Sequence, residues 1–351
     1  MRIAQVAPLY ESVPPALYGG TERVVFNLTE ALVEMGHDVT LFASGDSRSQ
    51  ARLIAPCERA LRLDPGCRDP LAYHAILLDE VFRRTEEFDA VHFHIDYLHF
   101  ALSNRIQLAD LTTLHGRLDL PELGGIYRHF PNRPLVSISN SQRKPLPWAN
   151  WRATIYHGLD LRRFRFNAVR GTYLAFLGRI SPEKRVDRAI EIAKRTGVPL
   201  RIAAKVDRVD VDYFRAEIEP LLDHPLIDYI GEIGDDVKSD FLGGALALLF
   251  PIDWPEPFGL AMIESMACGT PVIAFNCGSV PEVVDHGLTG LIVSSVEEAA
   301  AAVRKIEKLD RAHCRKLCEQ RFSARRMAAD YLDQYQQRVE EVFPSATCRV
   351  A

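Results

Sequence analysis

A repeated alternation of short apolar runs with amphipathic helical stretches constrains this chain more than any other feature. Runs at residues 3–9, 37–44, 88–96, 111–116, 135–139 and 154–158 have the length and composition of buried parallel strands. The rhythm stops at residues 160–170, which are basic and irregular, and restarts with runs at 172–177, 199–206, 227–230, 245–250, 271–275 and 291–293. With 351 residues, 47% of them hydrophobic, the chain can fill two cores of about 150 residues each. The expected class is α/β with two Rossmann-like parallel-sheet domains, over 1–165 and 166–325. A terminal helix is expected over 326–351, where Met327, Tyr331, Tyr335 and Val339 recur at helical spacing.

The first strand leads into a loop, 10–20, that holds Pro14, Pro15 and the pair Gly19-Gly20. Thr21 is a suitable N-cap for a helix with Val24, Leu28, Ala31, Leu32 and Met35 on its apolar face, and Gly36 ends it. There is no G-x-G-x-x-G, so this βαβ unit lacks the dinucleotide fingerprint. The glycine pair fits either a flexible turn or a close approach of the backbone to a ligand.

In the second half, the run 245–250 is followed by a loop in which Pro255 and Pro257 push Trp254 and Glu256 towards extended backbone. The next helix should therefore begin near Phe258 or Gly259. The uncapped amides of Phe258, Gly259 and Leu260 suit a phosphate. Glu256 in the loop and Glu264 in the second helical turn can then accept hydrogen bonds from sugar hydroxyls; otherwise they are solvated surface charges. Upstream, Arg179 precedes a helix expected to be capped by Ser181, with Pro182 at its first position and Lys184 in its first turn. Two cations at the positive end of a helix dipole call for an anion.

Two histidine patterns stand in the first half. The alternation in FDAVHFHID puts His92, His94 and Asp96 on one strand face, open to three readings: metal ligands, core histidines, or a substrate pocket at Asp96. No second cluster at metal-like spacing accompanies them. His115 closes the run 111–116, and a histidine at the carboxyl end of a parallel strand points to where α/β sheets bind ligands. The triplet Asp210-Val211-Asp212 is read as first-turn acids of an amphipathic helix.

The net charge of −5 gives no global basis for binding nucleic acid. Arg162, Arg163 and Arg165, and Arg325 with Arg326, leave a peripheral membrane contact open, with solvated charge the plainer account. Seven irregularly spaced cysteines and the lack of a leader or a long apolar segment lead to the expectation of reduced thiols and a cytoplasmic protein.

The segment Glu256-Pro-Phe-Gly-Leu-Ala-Met-Ile-Glu264, followed by Ala-Cys-Gly-Thr-Pro, resembles the Glu-x7-Glu motif of family 4 retaining glycosyltransferases of the GT-B fold. The resemblance covers nearly the whole chain. It implies two domains facing across a cleft, with the terminal helix returning to the first. It also implies transfer of a hexose from a nucleotide diphosphate sugar to an acceptor hydroxyl. Arg179 and Lys184 would grip the diphosphate, the Gly19-Gly20 loop would approach it, and Phe258, Gly259 and Leu260 would lend it their amides. Glu256 and His115 would serve the sugar, Glu264 the ribose, Glu232 and Ile233 the nucleobase, and Asp96 with Tyr97 the acceptor. Such an enzyme needs no metal and no cofactor beyond its co-substrate, and family frequency favours UDP and glucose. His157-Gly158-Leu159-Asp160 stands where relatives show Asn-Gly-Val-Asp, which leaves the role of His157 open. The rivals are a metallohydrolase built on His92, His94 and Asp96, and a nucleotide-sugar-binding module without turnover.

Overall fold

A computed structural model describes residues 1–17 and 19–344; Tyr18 of the glycine loop and residues 345–351 of the expected terminal helix lie outside the described residues. The chain forms two compact units, one of Met1–Gly158 together with the helix Ala324–Val342, the other of Leu159–Ser323.

The first unit is built on an all-parallel sheet of seven strands: β1 (Arg2–Val6), β2 (Asp38–Phe42), β3 (Arg52–Ile54), β4 (Ala90–Phe93), β5 (Asp110–Thr113), β6 (Leu135–Ser137) and β7 (Trp151–Thr154). Their order is β3-β2-β1-β4-β5-β6-β7. One face of the sheet packs Val6, Phe42, Val91 and Phe93 against Leu77 and Val81 of the helix Pro70–Phe82. On the other side, Leu41 and Ala43 meet Val25 and Phe26 of the helix Gly20–Glu34. The three-residue β3 has no sequence signal of its own, and β7 precedes the expected run 154–158.

The second unit has six parallel strands: β8 (Tyr173–Ile180), β9 (Leu200–Val206), β10 (Ile227–Gly231), β11 (Ala245–Phe250), β12 (Val272–Phe275) and β13 (Gly290–Val293). Their order is β10-β9-β8-β11-β12-β13. Leu174, Phe176, Ile202, Ala247, Leu249 and Ile273 fill its core with Val186, Ala189, Ile190 and Ala193 of the helix Val186–Thr196.

In each sheet the winding direction reverses once, at β1/β4 in the first and at β8/β11 in the second. Loops leaving the carboxyl ends of strands on either side of such a reversal diverge and leave a crevice, which is where open α/β sheets bind ligands.

Candidate active site

In the second unit Arg179 and Lys184 lie at and after the end of β8, and Glu256 and Glu264 follow β11, the two strands on either side of the reversal. β8 runs on through Gly178 and Arg179 to Ile180. Residues Pro182–Lys184 then form a separate 3-10 turn, Arg185 takes a left-handed conformation (φ 53°), and the α-helix begins only at Val186. Lys184 therefore stands before the helix, not in its first turn, and Ser181 makes no side-chain cap. The anion that these two cations call for is supplied within the fold, by carboxylates beside each of them. Arg179 donates to Glu183 at 2.6 Å and to Asp207 at 3.4 Å, with Asp210 at 3.7 Å. Asp210 thus faces a guanidinium; it belongs to the 3-10 turn Arg208–Asp210, ahead of the helix it was expected to open.

Lys184 Nζ forms an ion pair with Glu256, both side chains being mostly buried (16% and 12% exposed). The same carboxylate accepts from the Trp254 indole at 3.0 Å, and Nζ lies 5.0 Å from the Trp254 ring centroid and 5.9 Å from that of Phe250. Backbone bonds lock the loops together: Asp253 N–H donates to Glu183 C=O at 2.9 Å, and Ser279 N–H to Glu256 C=O at 3.0 Å. The Ser279 hydroxyl donates to Phe258 C=O at 2.8 Å.

Gly259 (φ 83°) opens the helix Leu260–Ala267, so the backbone turns into the helix where the sequence places the break, and the first-turn amides are left without a side-chain cap. A β-carbon on Gly259 would lie 2.7 Å from Met262 Cε and 3.0 Å from Phe250 Cζ. Glu264, one turn on, is buried and pairs at 3.0 Å with Lys238, which also holds Asp235 at 3.1 Å. Lys238 lies on the helix Asp235–Gly243, directly after the loop that contains Glu232 and Ile233, both half-buried. Glu264 is therefore no surface charge. A buried carboxylate and ammonium at 5% and 9% exposure are tolerable only as a pair.

In the first unit Gly19 is the N-cap and Gly20 the first residue of its helix, and no side chain caps it, so the hydroxyl of Thr21 does not play the expected part. Gly19 is crowded: a β-carbon there would lie 2.7 Å from Pro15 Cβ. β4 ends at Phe93, and Asp96 turns left-handed (φ 50°), so the alternation stops before it reaches Asp96. Asp96 and Tyr97 are exposed, whereas His92 and His94 are buried.

The metal-ligand reading of His92, His94 and Asp96 fails on this geometry. Both histidines spend both ring nitrogens on protein partners, and among the described residues no group of three or more His, Cys, Asp or Glu side chains is placed to hold a metal ion. His115 follows β5 at its carboxyl end, 2.9 Å from His94 Nδ1 through its Nε2, with the His157 ring stacked 5.3 Å away. Burial lowers the pKa of His115 to about 3 and those of His92, His94 and His157 well below the usual imidazole range. All four rings are neutral at pH 7.

Trp254, Lys238, Glu183, Asp207 and Ser279 carried no sequence signal. Each has a partner far along the chain, Glu264 for Lys238, Arg179 for Asp207, Asp253 for Glu183, Lys184 for Trp254 and Glu256 for Ser279, and only the tertiary fold brings these together. Among the described residues no helix is long and apolar enough to cross a membrane.

Two family models match the chain in succession, Glycosyltransferase Family 4 over residues 18–172 and Glycosyl transferases group 1 over residues 161–321. Glycogen synthase of Mycobacterium tuberculosis is 26% identical over 361 aligned positions, covering 87% of this chain and 86% of the relative. Among solved structures, sucrose-phosphate synthase of Thermosynechococcus elongatus matches with a TM-score of 0.78 at 18% identity, over 96% of this chain and 98% of that one. Anabaena HepE, solved in complex with UDP and glucose, matches with a TM-score of 0.75 at 16% identity, over 96% of this chain and 100% of its own.

Proposed function

Since the chain belongs to the family 4, group 1 glycosyltransferases of the GT-B fold, we propose that it moves a hexose from a nucleotide diphosphate sugar to an acceptor hydroxyl with retention of the anomeric configuration. The observation that carries this reading is the Lys184–Glu256 pair beside Trp254 at the reversal of the second sheet, one turn from the uncapped amides at Gly259. A cation and free N–H groups suit a departing diphosphate, while the carboxylate suits the hydroxyls of the sugar attached to it. Sugar hydroxyls donate to Glu256, and diphosphate oxygens accept from Lys184, so the ligand can exchange the pair's mutual bond for one to each partner.

In this reading Arg179 shares the diphosphate charge, and the ligand competes with Glu183 and Asp207 for its guanidinium. Glu264, oriented by Lys238, accepts from the ribose, and the loop with Glu232 and Ile233 meets the nucleobase. The Gly19-Gly20 loop approaches the diphosphate, His115 takes a sugar hydroxyl, and Asp96 with Tyr97 serves the acceptor. The bond from the anomeric carbon to the phosphate oxygen breaks while the acceptor oxygen attacks from the same face, and that phosphate oxygen takes the acceptor proton. Protein cations carry the charge, so no metal is assigned a step. UDP and glucose are the favoured donor groups, since HepE, a protein of the same fold, was solved with both.

The test is a panel of UDP-, GDP- and ADP-sugars scored first by thermal stabilisation and then by donor hydrolysis. A bound ligand raises the unfolding temperature by mass action. UDP-glucose should stabilise the protein most and be hydrolysed slowly without acceptor. Stabilisation by no nucleotide sugar would overturn the proposal.

A further inference from the structure

A continuous chain of buried hydrogen bonds runs through the first unit from its terminal helix to His115. Tyr331 and Thr113 hydroxyls are 2.8 Å apart, and Thr113 Oγ1 is 2.8 Å from His92 Nε2. His92 Nδ1 is 2.7 Å from the Tyr335 hydroxyl, to which Gln5 Nε2 donates at 3.0 Å. Gln5 Oε1 is 2.9 Å from His94 Nε2, and His94 Nδ1 is 2.9 Å from His115 Nε2.

Hydroxyls and neutral imidazoles can serve in either direction, but an amide cannot: its NH2 only donates and its oxygen only accepts. Gln5 therefore sets the polarity of the whole chain. Because Gln5 Oε1 accepts, His94 carries its proton on Nε2 and presents a bare Nδ1. A bare His94 Nδ1 requires His115 to donate from Nε2, which leaves His115 Nδ1 without a proton. On the other arm, the Tyr335 oxygen accepts from Gln5 and its proton goes to His92 Nδ1, so His92 donates from Nε2 to Thr113. The only ring nitrogen of these three histidines without a partner is His115 Nδ1, which is buried. A buried polar atom without a partner is costly, and such atoms mark places where a ligand completes the bonding.

We propose that Gln5, held by Tyr335 and acting through His94, fixes His115 as the Nε2–H tautomer, so that its Nδ1 accepts a hydrogen bond from a hydroxyl of the transferred sugar. The sugar contact rests on the glycosyl-transfer reading above; the tautomer rests on the hydrogen-bond geometry alone. Gln5, His94 and Tyr335 are positioning residues, two and more bonds removed from the ligand. The consequence is selectivity for a donor group: a sugar hydroxyl can give its proton to this nitrogen, whereas a ligand oxygen that only accepts meets a lone pair.

The test uses the full chain labelled with 15N at histidine, in which two-bond proton–nitrogen spectra report the tautomer of each ring. The wild type should show His94 and His115 protonated on Nε2. In Gln5→Met the polarising amide is gone, and in Tyr335→Phe the amide loses the acceptor that orients it. Both should raise the Nδ1–H fraction of His115 and lower kcat/KM for UDP-glucose about tenfold, the worth of one neutral hydrogen bond. Affinity for free UDP should not change. Tyr335→Phe removes a single oxygen and carries the test if Gln5→Met fails to fold, which thermal unfolding reveals. A wild-type His115 protonated on Nδ1, or a tautomer indifferent to both substitutions, would overturn the relay. The expected tautomers with no loss of kcat/KM in either variant would overturn the sugar contact. A chain that shows the expected tautomers but transfers from no nucleotide sugar would uphold the relay and refute the function it is attached to.

Discussion

Gly278 presses so closely on Glu256 that a β-carbon at position 278 would lie 2.3 Å from the Glu256 nitrogen and 2.5 Å from its carbonyl oxygen. Both atoms are backbone, so no rotamer change relieves the contact, and Gly278 also sits at φ 59°. Ser279 then bonds the Glu256 carbonyl, so the 276–279 loop acts as a clamp on the carboxylate that Lys184 holds. Gly278→Ala should displace Glu256 and reduce turnover by about 100-fold, the cost of an ångström-scale misplacement in a site. The left-handed backbone adds about 1–2 kcal/mol of destabilisation. Steady-state transfer assays with an unfolding curve separate the two effects, and full turnover in the alanine variant would show that the clamp is not needed.

The Lys184–Glu256 pair makes a non-additive prediction. Lys184→Ala should chiefly lower turnover, with a smaller loss of donor affinity, and Glu256→Ala should abolish transfer while leaving free UDP binding largely intact. For stability, each single change strands the other charge in a mostly buried setting, whereas Lys184→Met with Glu256→Gln removes both. A double-mutant cycle on unfolding free energy should give a coupling of about 1–3 kcal/mol. Strict additivity would mean that the pair is broken in solution.

Lys238 tests the neighbouring pair. Lys238→Met leaves the Glu264 carboxylate buried and without its ammonium partner, which should cost about 3–5 kcal/mol of stability. If Glu264 serves the ribose, UDP affinity should fall as well, by about tenfold for 1.4 kcal/mol of lost orientation. Calorimetric titration with UDP measures it. Destabilisation with unchanged UDP affinity would confine Lys238 and Glu264 to a packing role.

The buried imidazoles of His92, His94, His115 and His157 set a pH dependence. Their folded pKa values lie below the ordinary 6.5, that of His115 at about 3, because burial penalises the charged ring. Such groups stabilise the fold fully above pH 6.5, where the unfolded chain is also neutral. That contribution is lost as the pH falls, because only the unfolded chain takes up protons. At pH 5 the His115 ring alone costs about 2 kcal/mol relative to pH 7.5, and the other three act in the same direction. Urea unfolding at the two pH values should show a large drop in midpoint, and His92→Gln should shrink that drop. Equal midpoints would mean that the rings protonate in place.

The strand-loop-helix around Glu256 was legible in the sequence because its determinants are local. Pro255 and Pro257 dictate extended backbone before Gly259, so the break between β11 and the next helix follows from neighbouring residues alone. The β-strand runs were legible for the same reason, except β3, whose three residues are too short to show a period, and β7, which ends where the expected run 154–158 begins. Local signals misled where a distant contact outweighed them. Ser181 and Pro182 read as a helix start, yet Arg185 leaves the helical region and bonds Asp187 and Asp253. His92, His94 and Asp96 alternate like ligands on one face, yet the two histidines are absorbed by Gln5, Thr113, Tyr335 and His115.

By itself the sequence determined the two parallel α/β units, the strand-loop-helix at Glu256 and the identity of the charged and imidazole groups, since apolar periodicity and proline and glycine geometry act over a few residues. The tertiary structure alone decided which charges meet, which tautomer His115 adopts and which carboxylates are buried. Electrostatic pairing and desolvation depend on distance in space, and the strands that set those distances are dozens of residues apart in the chain.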